Sequence, residues 1–262
     1  MNSPIPFDQS GTYKTDCKKH KRLQGVLPSL FFYTTLLSVI FKGSKIAKRG
    51  LYDRVAWENS SLKILNALEQ VGIQFEITGI NNFKDLAGPC IFVGNHMSAL
   101  ETAVLPVIID PIKPVTFIVK ESLINYPVFK HIMRATKPIA VTRTNPREDL
   151  KTVMKEGAEK IKEGISIIAF PQTTRTTTFD PSEFNTIGVK LAKHTGTPII
   201  PFALKTDAWA NGRIIKDFGR LDHTKMVYFA FGGPIHVKDR GTEEHQAIIA
   251  FIQDRLKEWG GT

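Results

Sequence analysis

Two side chains in the stretch FVGNHMSALETAVLP, residues 92 to 106, have the types and spacing for proton transfer. His96 follows a short apolar run, and Glu101 stands five residues later, at what reads as the start of a helix. Imidazole has an ordinary pKa of ~6.5, so its neutral form can take a proton from an alcohol near pH 7. A carboxylate on the far ring nitrogen would fix the tautomer and stabilise the imidazolium that forms. General-base help of this kind is worth ~10²–10⁴ in rate. A purely structural reading stands beside it: SALE, residues 98 to 101, is a capping box, in which the glutamate reaches back to the N-cap N–H. The two roles are compatible, because a glutamate in the first helical turn lies near the loop that carries the histidine.

Two arginines could supply anion recognition. TNPRED offers Asn145 as N-cap, Pro146 at the first helical position and Glu148 three residues after the cap, so Arg143 lies beside a helix N-terminus. Arg175 sits in the hydroxyl-rich run TTRTTT. Together they could hold a phosphate; a surface arginine and a solvated loop are the plainer alternatives. Rival chemistries lack their motifs: there is no GxSxG elbow, Walker A loop, GxGxxG after a strand, or HExxH. Cys17 and Cys90 form no metal-ligand spacing, and Cys90, inside CIFVG, reads as a small buried hydrophobe. No metal or tightly bound cofactor is expected, and a reducing compartment fits.

The elements that must position these groups alternate from about residue 73. Short β-branched or aromatic runs (IQFEITG, CIFVG, VTFIV, PIAVTR, ISIIAF, TPIIPFAL, MVYFAFGGPIHV) are separated by helical patterns near 98–109, 127–136, 146–163, 186–195 and 242–259. This alternation predicts an α/β fold: a mixed, largely parallel central sheet flanked by helices. Pro198 and Pro201 remove ladder donors from the sixth run, which predicts a bulged, short or edge strand there. Residues 1–72 form a separate unit in this reading. It holds a polar, mobile tail of about 25 residues, an apolar segment over 26–41, and an amphipathic helix over 49–72 that Gly72 ends. Residues 73–262 form the α/β domain.

Net charge is +10, but nine Lys/Arg against two acids place +7 of it in residues 1–50. The remainder is close to neutral, which argues against a nucleic-acid groove along the molecule. The basic clusters flank the apolar segment, VLPSLFFYTTLLSVIF. As a helix it spans roughly 24 Å, short of a ~30 Å hydrocarbon core. The segment therefore reads as an interfacial or re-entrant helix, with a buried core helix as the alternative. Juxtamembrane Lys/Arg are worth ~1 kcal/mol each near an anionic leaflet, which favours the cytoplasmic face of a membrane (the inner membrane if bacterial).

Four blocks in order carry a family resemblance. NHMSALE resembles the NHx4D signature of the glycerolipid acyltransferases, the family of 1-acyl-glycerol-3-phosphate acyltransferase. FPQTTR, residues 170 to 175, resembles that family's FPEGTR block; VTRTN is similar to its intervening arginine block and PIIPFAL to its proline-containing fourth block. The match covers roughly residues 75 to 205. Glu101 stands where the family has aspartate, Gln172 where it has glutamate and Thr173 where it has glycine. The resemblance implies acyl transfer from acyl-CoA or acyl-ACP to the hydroxyl of a lysophospholipid, with 1-acyl-glycerol-3-phosphate the leading acceptor. His96 would be the base and Glu101 its orienting partner. Asn95, Arg143, Gln172, Thr173, Thr174 and Arg175 would bind substrate, the two arginines through the acceptor phosphate. Other acceptors (glycerol 3-phosphate, another lysolipid, a non-phosphate alcohol) and an inactive lipid-binding protein of the same fold stay open.

Overall fold

The computed structural model describes residues 3–16, 28–127, 129–172, 174–212 and 215–261. Thr173, Cys17 and the cations Lys18, Lys19, Lys21 and Arg22 lie outside them. Eight strands form one sheet: β1 (Tyr13–Lys14), β2 (Gln74–Thr78), β3 (Ile91–Gly94), β4 (Val115–Lys120), β5 (Ile139–Val141), β6 (Ser166–Ala169), β7 (Ile199–Lys205) and β8 (Met226–Phe231). Their order is β1-β2-β8-β7-β3-β6-β4-β5. Only β1/β2 and β7/β8 pair antiparallel, so the sheet is mixed and largely parallel, as the alternation predicts.

Parallel strands need crossover connections, and here helices supply them. The helices are α1 (Pro28–Lys48), α2 (Arg54–Gln70), α3 (Asn81–Lys84), α4 (Ala99–Ile109), α5 (Glu121–Ile124), α6 (Lys130–Ala135), α7 (Pro146–Lys162), α8 (Ile187–Thr195) and α9 (Thr242–Glu258). The strands read as near-continuous apolar runs because both faces are covered; all four residues of β3 and of β6 are buried. In α4, Pro106 lies inside the helix, and the Ser61 hydroxyl from α2 enters the ladder there. It accepts from Val107 N at 3.1 Å and donates to Ala103 O at 2.6 Å.

The structure differs from the sequence reading at three places. Residues 3–16 are no loose tail. Ile5 is buried, β1 pairs with β2, and the Tyr13 and Thr15 hydroxyls donate to the buried Glu69 carboxylate at 2.6 and 2.7 Å. β7 is seven residues long and central, between β8 and β3. Pro201 fits because the ladder with β8 begins at Phe202, opposite the last residue of β8; Gly232 follows, and a Cβ there would lie 2.8 Å from the Pro201 ring. Pairing continues beyond β8, with Gly232 N donating to Pro201 O at 2.7 Å and Ile199 pairing with Ile235 one residue out of register, so the missing donor falls beside a bulge, as one of the predicted alternatives has it. Third, α2 begins at Arg54 rather than near residue 49, because Asp53 caps it by accepting from Ala56 N at 2.9 Å.

α1 runs further than the apolar segment, to Lys48, with Lys45 and Lys48 in its last turn, where cations suit the helix dipole. Phe32, Leu36, Val39 and Ile40 are buried against the body, while Leu30, Leu37 and Phe41 face out. By length and composition α1 could cross a membrane. Its packed face lies instead along the folded domain.

Candidate active site

Parallel strands leave their C-terminal ends along one edge of the sheet, where open α/β sheets place their ligands. β3 delivers the loop 95–98 to that edge, and its neighbour β6 delivers 170–175. The end of β3 packs tightly: a Cβ on Gly94 would lie 2.4 Å from both the Phe202 ring and the Phe202 carbonyl oxygen, so glycine is required. The next side chain turns inward. Asn95 Oδ1 accepts from Leu204 N at 2.9 Å, and its Nδ2 donates to Leu204 O at 2.8 Å.

His96 is held on every side but one. Its ring stacks on Phe170, with centroids 4.3 Å apart and planes 19° from parallel. Its backbone N donates to Gln172 Oε1 at 2.7 Å and its carbonyl accepts from Thr176 N at 3.0 Å. Nδ1 lies 2.9 Å from Glu101 Oε1, which assigns the proton to Nδ1 and leaves the lone pair on Nε2. Nε2 makes no hydrogen bond among the described residues.

The Glu101 carboxylate is fully buried and takes five donors. Oε1 accepts from His96 Nδ1, from Met97 N at 2.6 Å and from Ser98 N at 2.8 Å; Oε2 accepts from Ser98 Oγ at 3.0 Å and from Thr206 Oγ1 at 2.6 Å. The capping box is complete, Ser98 Oγ accepting from Leu100 N at 3.1 Å. Burial alone would raise this carboxyl's pKa. The His96 N–H and charge, the Thr206 hydroxyl and the Ser98 N–H outweigh it and hold the pKa below the usual value. The helix cap and the partner of the imidazole are therefore one group, held in its ionised form.

A buried carboxylate orients the imidazole and leaves Nε2 without a hydrogen bond among the described residues, an arrangement that could serve general-base chemistry. The sequence profile of the Acyltransferase family matches residues 74–205, half the chain, from β2 to the end of β7.

The chain belongs to the acyltransferase family.

Its relatives include the 1-acyl-sn-glycerol-3-phosphate acyltransferase of Pseudomonas aeruginosa, 28% identical over 188 residues, which are 72% of this chain and 68% of that protein. The protein of the same name from Borreliella burgdorferi is 27% identical over 185 residues, 71% of each chain. In fold the acyltransferase resembles the crystal structure of the 1-acyl-sn-glycerophosphate (LPA) acyltransferase PlsC from Thermotoga maritima. The TM-score is 0.66 at 19% identity, covering 88% of this chain and 94% of that one.

The acyltransferase places its remaining predicted site residues in two groups. Asn95 and Gln172 serve the scaffold: Gln172 is buried, with its Oε1 on His96 N and its Nε2 donating to Thr176 Oγ1 at 2.9 Å. Both amides are thus spent on the protein itself, although Gln172 also lines the edge of a 370 Å³ cavity. That cavity opens beside Phe170 and is further walled by Arg143, Ile118, Val141 and Lys190. Arg143 stands at the exposed edge with a left-handed backbone (φ 63°), which Asp149 stabilises by accepting from Arg143 N at 2.8 Å and Thr142 N at 2.7 Å. Asn145 caps α7 as predicted, accepting from Glu148 N at 3.3 Å, but the Glu148 carboxylate pairs with Lys151 instead of returning to the cap. Burial lowers the pKa of Arg143, opposed by Asp149, and the charge of Arg175 lowers it further. The two guanidiniums are close enough to feel one another.

Arg175 forms an ion pair with Asp217, and Thr174 accepts from Lys216 Nζ at 3.4 Å. Both partners come from the loop between β7 and β8, whose Asn211 also donates to Met97 O at 2.9 Å. The same loop meets α1: the Tyr33 hydroxyl donates to Gly219 O, the Tyr33 and Phe218 rings lie 5.2 Å apart, and Phe32 and Trp209 4.8 Å apart. Sequence reasoning missed Phe170 as the plate under the imidazole, although it opens the FPQTTR block. It also missed Thr206, for which no local signal exists.

Proposed function

We propose that the protein transfers a fatty acyl group from acyl-CoA or acyl-ACP to the hydroxyl of a lysophospholipid, with 1-acyl-glycerol-3-phosphate as acceptor, in phospholipid synthesis. The observation that carries this reading is the 2.9 Å bond from His96 Nδ1 to Glu101, which leaves Nε2 as base. Nε2 takes the acceptor's hydroxyl proton as that oxygen attacks the thioester carbonyl. The C–S bond then breaks and the imidazolium returns its proton to the departing thiolate. Glu101 stabilises the imidazolium throughout. Arg143 and Arg175 hold the acceptor phosphate, each as a fork suited to phosphate oxygens; their mutual repulsion is relieved when a dianion sits between them. The names of the bacterial relatives support this acceptor.

Gln172 and Thr173 depart from the family pattern, and the scaffold role of Gln172 supports keeping the phosphate acceptor. In this reading residues 1–72 associate with the membrane and 73–262 do the chemistry. α1 lies on the cytoplasmic leaflet with Leu30, Leu37 and Phe41 toward the lipid (the inner membrane if the source is bacterial). A thiol-release assay over an acceptor panel tests the proposal. Lysophosphatidic acid should react best, and His96→Ala should abolish turnover while the melting temperature holds. Equal rates with phosphate-free acceptors would overturn the acceptor; turnover near wild type in His96→Ala would overturn the mechanism.

A further inference from the structure

A second cavity, of 740 Å³, lies at the opposite edge of the sheet from His96. It is built where strands begin: Pro114–Thr116 enter β4, Thr136 and Lys137 precede β5, and Ile165 precedes β6. Its other wall is the turn between α1 and α2. Six cationic or titratable bases line it, namely Lys48, Arg54, His131, Arg134, Lys137 and Lys160, against one acid, Asp53.

The acid is already occupied, accepting from Ala56 N as the cap of α2. Arg54 binds Asp110 at 3.0 Å and Lys160 pairs with Glu163 at 3.0 Å. Lys48, Arg134 and Lys137 have no acid partner among the described residues, and all three are exposed. Burial and the charges of Lys48, Lys130 and Arg134 hold His131 below the ordinary histidine pKa, as expected beside concentrated positive charge. The rim is apolar. Ile46, Leu51 and Val55, on the same turn, are 39%, 66% and 61% exposed, and Leu37 and Phe41 continue outward along α1. Arg134 donates to Asn125 Oδ1 at 2.9 Å, a neutral partner, so the three cations keep their charge; exposed cations beside displayed aliphatic side chains match the two layers of a bilayer surface, anionic headgroup and acyl chain.

We propose that this cavity binds the phosphate headgroup of an anionic phospholipid in the bilayer, with Ile46, Leu51 and Val55 entering the acyl layer beside it. α1, about 31 Å long, then runs from the β7–β8 loop, which Tyr33 meets and whose Asp217 pairs with Arg175, to this anchor at Lys48. The proposal shares with the proposed function only the placement of α1 on a membrane, and its readout is binding rather than turnover.

The test is co-sedimentation with vesicles of phosphatidylcholine alone or mixed with phosphatidylglycerol. The triple variant Lys48→Ala/Arg134→Ala/Lys137→Ala is compared with a charge-matched control, Lys155→Ala/Lys193→Ala/Lys257→Ala, from exposed positions elsewhere. At ~1 kcal/mol per basic residue, the cavity triple should weaken partitioning onto anionic vesicles on the order of 10²-fold. The control should stay near wild type. Lys137→Glu alone, with melting temperature measured alongside, separates lost binding from lost fold. Equal losses in both triples, or no loss in the cavity triple, would overturn the proposal. Short-chain phosphatidylglycerol should raise the melting temperature of the wild type but not of the triple. Inorganic phosphate doing so equally well would assign the cavity to a soluble anion and overturn the lipid source.

Discussion

Glu101→Gln separates the two duties of the buried carboxylate. The amide oxygen can stay at Oε1, where it still meets His96 Nδ1, Met97 N and Ser98 N; the NH₂ then replaces Oε2 and faces the Ser98 and Thr206 hydroxyls, which can turn to accept. Side-chain geometry and the cap are therefore kept. What disappears is charge. Hydrogen bonds to an ion are worth ~1.5–3 kcal/mol against ~0.5–1.5 for neutral ones, a loss of roughly 1 kcal/mol for each main-chain bond. Relief from burying an ion offsets part of this, so the cost is about 1–3 kcal/mol. At ~2–4 °C per kcal/mol, the melting temperature should fall by ~2–12 °C. The kinetic effect is larger, because the imidazolium formed in the transition state loses its counter-charge: kcat should drop by ~10²–10⁴ with little change in KM. Single-turnover thiol release beside differential scanning fluorimetry measures both. A variant with lowered melting temperature and wild-type kcat would show that Glu101 only starts a helix, and the general-base reasoning would fail with it.

Arg175→Ala should raise KM for a phosphate-bearing acceptor by ~10–10² while kcat moves less, since charged hydrogen bonds are worth ~1.5–3 kcal/mol. Asp217→Asn should lower that KM, because Asp217 competes for the same guanidinium; an unchanged KM in both variants would remove Arg175 from the phosphate site. Gln172→Glu, which restores the family residue, should keep activity, because a carboxylate can accept from both His96 N and Thr176 Oγ1; a collapse in kcat would mean that the amide touches substrate. Partial burial and the neighbouring Asp110 push the Glu58 carboxyl up to about 7, with Arg54 opposing the shift. A raised pKa contributes stability below 4.5 that is lost as pH rises through 7, so Glu58→Gln should gain on the wild type in melting temperature between pH 5 and 8. Parallel curves would show that Glu58 is solvated.

Much of the architecture was legible because the parallel strands are buried on both faces and so read as apolar runs: IFVG for β3, SIIA for β6. The starts of α4 and α7 were legible because Ser98 and Asn145 cap locally. β1 was not, since two residues in a polar stretch carry no period and gain their place from Glu69, more than 50 positions away. Pro198 and Pro201 did signal the bulge beside β7, but not that the strand would be long and central, because the position of a strand in the sheet is set by its distant partners. In the site, the His96–Glu101 pair was readable because the partners are five residues apart. Thr206 supports Glu101 across 105 positions, and Asn95 and Gln172 work on backbone 109 and 76 positions away, so their inward roles could not be seen in the motifs that contain them.

Asn95 shows how a histidine can be placed just past the end of a buried strand. Its primary amide presents one donor and one acceptor to Leu204, as a peptide group would, so the rung beyond Gly94 is closed by a side chain. The main chain is released from the ladder one residue before the pairing stops and can swing outward without stranding Leu204's N–H and C=O. An aspartate at 95 would set an oxygen against the Leu204 carbonyl and undo that substitution. The placing of the imidazole beyond the sheet's edge is, in this sense, the work of an amide that never leaves the interior.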